Sequence, residues 1–295
     1  MHTTVAGIEY KKPTVVLLQE AGIGTSEYAA RTCYDSFEAS ENESVVEFNQ
    51  LIDEQLHNKC PSVLDEINKI QHSNLLDELA WTHFHYSILE HANLTYLIKG
   101  TSRGVLQEHA RHRIQAISVR STRYTMSSVI NAFVASLSEH DDAFSREWFI
   151  EKVMTFDIFV TTNKDYNSIE IGCMFDKLYY QYLQLKTCLK DEECCEFFKI
   201  AVAKSSLHYL QEYRPKEEMF RLLEAGKKKR NVGDSFKHII SDNVKVDMVV
   251  TFNLRSLKNY FQLRDSGAAY MQIKWLAQAM KEVTPKKYLD LIIKP

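Results

Sequence analysis

The residues that most suggest chemistry lie in one stretch, Glu108-His109-Ala110-Arg111-His112-Arg113, followed by Ser121-Thr122-Arg123-Tyr124. If residues 102–113 form a helix, Glu108 reaches Arg111 at i+3 and His112 at i+4. Arg111 and Arg123 can then converge on an anion from two segments. Guanidinium forks suit phosphate because they offer two parallel, charge-assisted hydrogen bonds. The ordinary alternative is a salt-bridge network at a helix end, and spacing alone leaves both open.

A second cluster holds His83, His85, Glu90 and His91. Imidazole and carboxylate are ligands for zinc or iron, but no HExxH pattern occurs and the pairs precede an expected strand. Three readings stand: a metal site, a structural role, or contacts to a nucleotide or cofactor. No metal is expected. The third cluster runs from Asn253 to Arg264. On a helix Arg255 and Asn259 share one face, Leu257 and Phe261 another, and Arg264 follows Phe261 at i+3. An arginine in line with an apolar stripe either snorkels outward or meets a buried anion.

These clusters need elements to hold them. Residues 14–19 read as a strand ending at Gly22-Ile23-Gly24, with a helix from Thr25 to Phe37. Helical patterning recurs at 45–56 and 63–70. Asn93–Lys99 reads as a strand closed by Gly100, and Thr101 or Ser102 can cap a helix running to about Arg113. Residues 145–209 are mostly helical in pattern, 245–252 are a strand or a helix start, and 254–264 and 268–282 have helical spacing. The segment 212–237 contains Pro215, two glycines and the run Lys227–Arg230. It is either a solvated insertion or a polyanion site.

Composition narrows the class. With 295 residues, 45% hydrophobic and 25% charged, the chain has the make-up of a soluble globular protein. A net charge of −3 gives no overall pull toward nucleic acid or membrane. The first residues lack the pattern of a secretory leader, and no apolar run approaches the ~20 residues of a membrane helix. The six cysteines form no CxxC pair, so reduced thiols and a cytoplasmic location are expected. One domain, 1–295, is expected, with a poorly matched insertion at about 140–236.

Taken together, the clusters resemble the flavin-dependent thymidylate synthase (ThyX) family. The motif RHR, seven residues, S-x-R-Y stands complete as Arg111-His112-Arg113 and Ser121-Thr122-Arg123-Tyr124. His85-x-Ser87-x-Leu89-Glu90-His91, Gly100-x-Ser102-Arg103, and Asn253-x-Arg255-Ser256-Leu257-x-Asn259 with Leu263-Arg264 agree in order. Arg31-Thr32-Cys33 through Phe37 resembles the family's early helix.

The resemblance implies an α+β fold with helices around a sheet, and a homotetramer whose sites combine several subunits. It implies FAD held by His85, Ser87, Arg111, His112, Arg113, Asn253, Arg255 and Asn259. The pyrimidine deoxynucleotide dUMP would meet Glu108, Arg111, Ser121, Arg123, Lys237 and Arg264. Methylene-tetrahydrofolate and NADPH are the implied co-substrates. Arg264, beside the base, and Ser121, as a hydrogen-bonding group, are the catalytic candidates. No enzyme cysteine nucleophile is involved.

The chain departs from the family in three places. Val119 stands where many members have Glu or Gln, Ala116 where Ser is frequent, and Ala268–Gln272 replaces H-A-Q-x-E. An apolar Val119 favours a dry pocket and hydride transfer over capture by water. The rival readings are a hydroxymethyltransferase acting on dCMP or dUMP, and a non-catalytic nucleotide or nucleic-acid binder on the same fold.

Overall fold

A computed structural model describes residues 1–34, 36–37, 40, 43–58, 67–70, 72–121, 126–139, 142–186 and 239–294. In chain order come strands β1 (His2–Val5), β2 (Ile8–Lys11) and β3 (Thr14–Ala21), then helices α1 (Ile23–Tyr34), α2 (Glu43–Asn58) and α3 (Asn74–Trp81). A short 3-10 segment (Tyr86–Glu90) leads to β4 (Asn93–Ser102), α4 (Arg103–His109) and β5 (Ala116–Val119). Helices α5 (Ser127–Glu139), α6 (Asp142–Met154) and α7 (Lys164–Lys186) follow. The last elements are β6 (Lys245–Asn253), α8 (Leu254–Arg264), α9 (Met271–Val283) and α10 (Lys286–Ile292).

The fold class is α+β, as expected. The chain forms two compact units, one of residues 1–11 and 120–245, the other of residues 12–119 and 246–295. In the first, β1 and β2 form an antiparallel hairpin closed by Ala6 and Gly7, both at positive φ. That is the backbone a two-residue hairpin turn demands. Helices α5, α6 and α7 pack around Phe133, Phe149 and Phe175, whose ring centroids lie 5.4–6.1 Å apart. The expected long helical stretch is broken at Phe159 and Thr161, which bridge to Val244 and Tyr10. The run Ile158–Thr162 is rich in β-branched and aromatic side chains, which lose rotamer freedom in a helix and suit extended backbone.

The second unit carries every described candidate residue except Ser121. Its sheet has the order β3-β4-β6-β5. Strict alternation makes β6 amphipathic: Val246, Met248, Val250 and Phe252 are buried while their neighbours are half-exposed. One face of the sheet, with Leu94, Tyr96, Ile98, Val250 and Phe252, packs with Leu257 and Tyr260 of α8 and with the α9 stripe Ile273, Leu276, Ala277 and Met280. Tyr96 donates from its hydroxyl to Thr284 Oγ1 (2.8 Å), which donates in turn to the Met280 carbonyl (2.7 Å), so the buried phenol is satisfied.

Strand β4 runs through Gly100, where an end was expected. Gly100 sits at φ +73, and its N–H donates to the Asp247 carboxylate of β6 (2.9 Å), which carries the strand to Ser102. Ser102 then caps α4, accepting from the Val105 N–H at 3.2 Å.

Candidate active site

Two helix-bearing connections bring the site together: β4 into α4, and β6 into α8. Helix α4 ends at His109, four residues before the expected Arg113. The cause is Gln115, whose side-chain amide donates to the carbonyls of His109 (3.1 Å) and His112 (2.8 Å). Carbonyls at a helix end lack intrahelical partners, and Gln115 satisfies these by folding the chain back. Arg111-His112-Arg113 therefore lies on a turn. Glu108 keeps its i+3 approach to Arg111, at 3.6 Å, while the expected i+4 geometry toward His112 is gone.

Helix α8 begins at a cap. Asn253 accepts the Ser256 N–H on its side-chain oxygen at 2.8 Å. Leu254, Leu257, Tyr260 and Phe261 are buried, which turns Arg255 and Asn259 outward. At the far end Arg264 is tightly held, with its side chain only 15% exposed. Its Nε donates to His112 Nε2 (2.8 Å), one terminal nitrogen to the Glu108 carboxylate (2.8 Å), and the other to the Glu108 carbonyl (3.0 Å). A guanidinium has five N–H groups, so two remain for a ligand. Neither sequence alternative holds in full: Arg264 stays largely buried, and the anion it meets, Glu108, is itself 34% exposed.

The bond from Arg264 fixes the state of His112. Nε2 must accept, so the ring is neutral with its proton on Nδ1. Burial, then the adjacent Arg264 and Arg111 charges, push the His112 pKa down to about 4. Behind it, Tyr260 packs edge-on to both His112 and His109, and its hydroxyl lies 3.1 Å from His109 Nδ1. His109 is wholly buried, and that burial pushes its pKa to about 4 as well.

Both histidines thus bind fewer protons folded than unfolded between pH 6.5 and about 4. The stability these two histidines contribute must fall as the pH is lowered through that window and level off below it. His109 sets the scale, on the order of 3 kcal/mol at most. Denaturant melts at pH 7, 5.5 and 4.5 should show the loss, and His109→Gln should flatten part of it. A midpoint that holds constant across the three would contradict the neutral-histidine core.

These groups line a cleft of about 1160 Å³. Glu90, Glu108, Arg111, His112, Arg113, Asn253, Arg255, Asn259 and Arg264 supply its polar wall, and Ile114, Leu263, Ala269 and Tyr270 its apolar one. A smaller cavity of about 260 Å³ is lined by Cys33, Tyr34, Phe84, His85, Tyr86, Ser87 and Ile88, and shares Arg255 with the cleft. Arg255 pairs there with Glu90. The Tyr34 hydroxyl is hydrogen-bonded to His85 Nδ1, and the two rings are parallel. Of the His83–His91 cluster, His85 lines the smaller cavity and Glu90 the cleft, while His83 and His91 line neither. Among the described residues no three His, Cys, Asp or Glu side chains converge as metal ligands do.

The model of the thymidylate synthase complementing protein family matches residues 17–288. The chain belongs to that family. Among its relatives, the flavin-dependent thymidylate synthase of Campylobacter jejuni is 25% identical over 274 residues, 93% of each chain. That of Wolinella succinogenes is 27% identical over 275 residues, 93% of this chain and 95% of its own. The fold is that of thymidylate synthase X from Helicobacter pylori, solved with FAD and dUMP. That structure is 21% identical with a TM-score of 0.54, and the match covers 95% of this chain and 98% of the other.

In this member of the thymidylate synthase complementing family, the candidates read from sequence land in three places. Glu108, Arg111, His112, Arg113, Asn253, Arg255, Asn259 and Arg264 meet at the cleft, and His85 and Ser87 at the smaller cavity. Ser121 lies two residues past β5, in the other compact unit. Arg123 and Lys237 fall outside the described residues, as does the Lys227–Arg230 run. Val119 pairs with Met248, is partly buried against the apolar core, and is among the lining residues of neither cavity.

Sequence reading missed Gln115, Tyr260 and Tyr34. Gln115 could have been found as the polar side chain three residues after His112. Tyr260 and Tyr34 carried no local signal, because their partners are 151 and 51 residues away.

Proposed function

We propose that the chain is a flavin-dependent thymidylate synthase, converting dUMP to dTMP with FAD, methylene-tetrahydrofolate and NADPH. One observation carries this reading: Arg264 is held by His112 and Glu108 at the edge of an arginine-lined cleft, with two N–H groups to spare. The cleft exceeds the roughly 300–1,000 Å³ of ordinary ligand pockets, which suits a dinucleotide cofactor beside a nucleotide. Its donor set fits FAD. Arg111, Arg113 and Arg255 match a diphosphate, and Ile114, Leu263 and Tyr270 offer flat apolar surface to a ring system.

The residues divide the work. Arg111 is 73% exposed and only loosely paired with Glu108, so turning it to a phosphate costs little. Arg264 faces the pyrimidine, where a permanent cation with fixed N–H groups stabilises negative charge developing on the base. Its orientation is already set, so no reorganisation is needed as the charge appears. His85 and Ser87 present hydrogen-bonding groups at the flavin side, and Asn253 fixes the start of α8 so that Arg255 and Asn259 face the same ligand. Bound FAD would supply the hydride, with the folate as carbon donor and NADPH as reductant.

By the resemblance set out above, the active form is a cytoplasmic homotetramer, with Ser121, Arg123 and Lys237 completing the nucleotide site. Among the described residues no helix is long and apolar enough to cross a membrane.

The reading is tested by flavin uptake. The purified protein is expected to be yellow, or to become so with added FAD and to keep the flavin through gel filtration. A well-folded protein that takes up no FAD overturns it.

A further inference from the structure

Lys258 of α8 is 7% exposed, and its Nζ has no hydrogen-bond partner among the described residues. The ammonium lies 3.9 Å from the centroid of the Trp81 ring and 4.2 Å from that of Tyr86. A buried ammonium ordinarily requires a carboxylate or a set of acceptors. Here the negative faces of two aromatic rings take that role. Burial still pushes its pKa below that of an ordinary lysine. A methionine would fill the same space without that penalty; what the charge adds is attraction to the two ring faces it touches.

Trp81 closes α3, and its indole N–H donates to the Asp290 carbonyl at 2.8 Å. Tyr86 opens the 3-10 segment and forms a wall of the smaller cavity. Between them the backbone is strained, with Phe84 at φ +56, a region that bulky side chains avoid. Two hydrogen bonds hold this turn to α3, His83 N–H to the Glu78 carbonyl (2.9 Å) and His85 N–H to the Leu79 carbonyl (2.8 Å). Lys258 thus grips both ends of the turn from α8, one position before Asn259 and three after Arg255.

We propose that Lys258 is a positioning residue for the flavin site: its ammonium ties Trp81 and Tyr86 to α8 and holds His85, Ser87 and Glu90 in register with Arg255. This rests on the flavin reading above, and the test separates the two.

Hydrogen exchange across residues 82–90 of the full-length protein and FAD titration are measured for wild type, Lys258→Met and Lys258→Arg. In Lys258→Met the His83 and His85 amides are expected to exchange several-fold faster, and FAD affinity to fall about tenfold. Lys258→Arg, which keeps a cation over the rings, is expected to restore both. Unchanged exchange in folded Lys258→Met overturns the proposal, and so does faster exchange with unchanged FAD affinity. Failure of the wild type to bind FAD would instead sink the flavin reading, and the exchange data would still judge the clamp. Should Lys258→Met not fold, Trp81→Leu, which removes a ring lining neither cavity, is expected to give the same pair of changes.

Discussion

Arg264→Ala is expected to lower turnover of dUMP by ~10²–10³ while leaving FAD bound, the cost typical of losing one preorganised donor to a developing oxyanion. The substitution removes three bonds, two to Glu108 and one to His112. Stability should suffer little, because the Glu108 side chain is 34% exposed and water can take over its carboxylate. His112 loses a neighbouring cation that depresses its pKa, so its neutral state becomes less favoured in the variant. Arg264→Lys should be nearly as impaired. A single ammonium cannot hold Glu108 and His112 and still present two N–H groups to the base. Steady-state kinetics with flavin content measured on the same samples decides the matter. Near-normal turnover of Arg264→Ala would remove Arg264 from the site, and near-normal turnover of Arg264→Lys alone would overturn the role given to its fixed N–H groups.

A large structural effect is expected from Gly22→Ala. Gly22 sits at φ +98, and a Cβ there would lie 2.6 Å from the His91 carbonyl oxygen and 2.9 Å from the Ala92 Cα. Both obstacles are backbone, so no rotamer change relieves them. Strain and clash together should cost roughly 3 kcal/mol or more. The contact matters beyond α1, because the Ala92 carbonyl accepts the Leu254 N–H at 3.0 Å and so helps place the start of α8. Chemical denaturation should show a lowered midpoint with an unchanged slope. A midpoint within experimental error of the wild type would show that the backbones part easily there.

Much of this was legible in the residues. Periodicity placed β3, β4, α8 and α9, and the pattern of Arg111-His112-Arg113 and Asn253–Arg264 picked out the groups that meet at the cleft. Local rules failed where a distant or single partner decides. The Gln115 side chain ends α4 early, and Asp247 carries β4 past Gly100. Short β5 gives too few residues for alternation to stand out, and it exists because β6 offers it an edge. Lys258 was not singled out, because Trp81 and Tyr86 are distant from it in sequence. Only the fold shows two rings over it.

The proposed activity is tested most directly by incubating the protein with FAD, methylene-tetrahydrofolate and NADPH, with dUMP and dCMP in separate reactions. The nucleotides are then weighed and NADPH oxidation followed. The expected result is a product with the mass of dTMP, from dUMP alone, with NADPH oxidised in step. A product heavier by one oxygen, formed with NADPH untouched, would contradict the synthase assignment and make the chain a hydroxymethyltransferase of the same family.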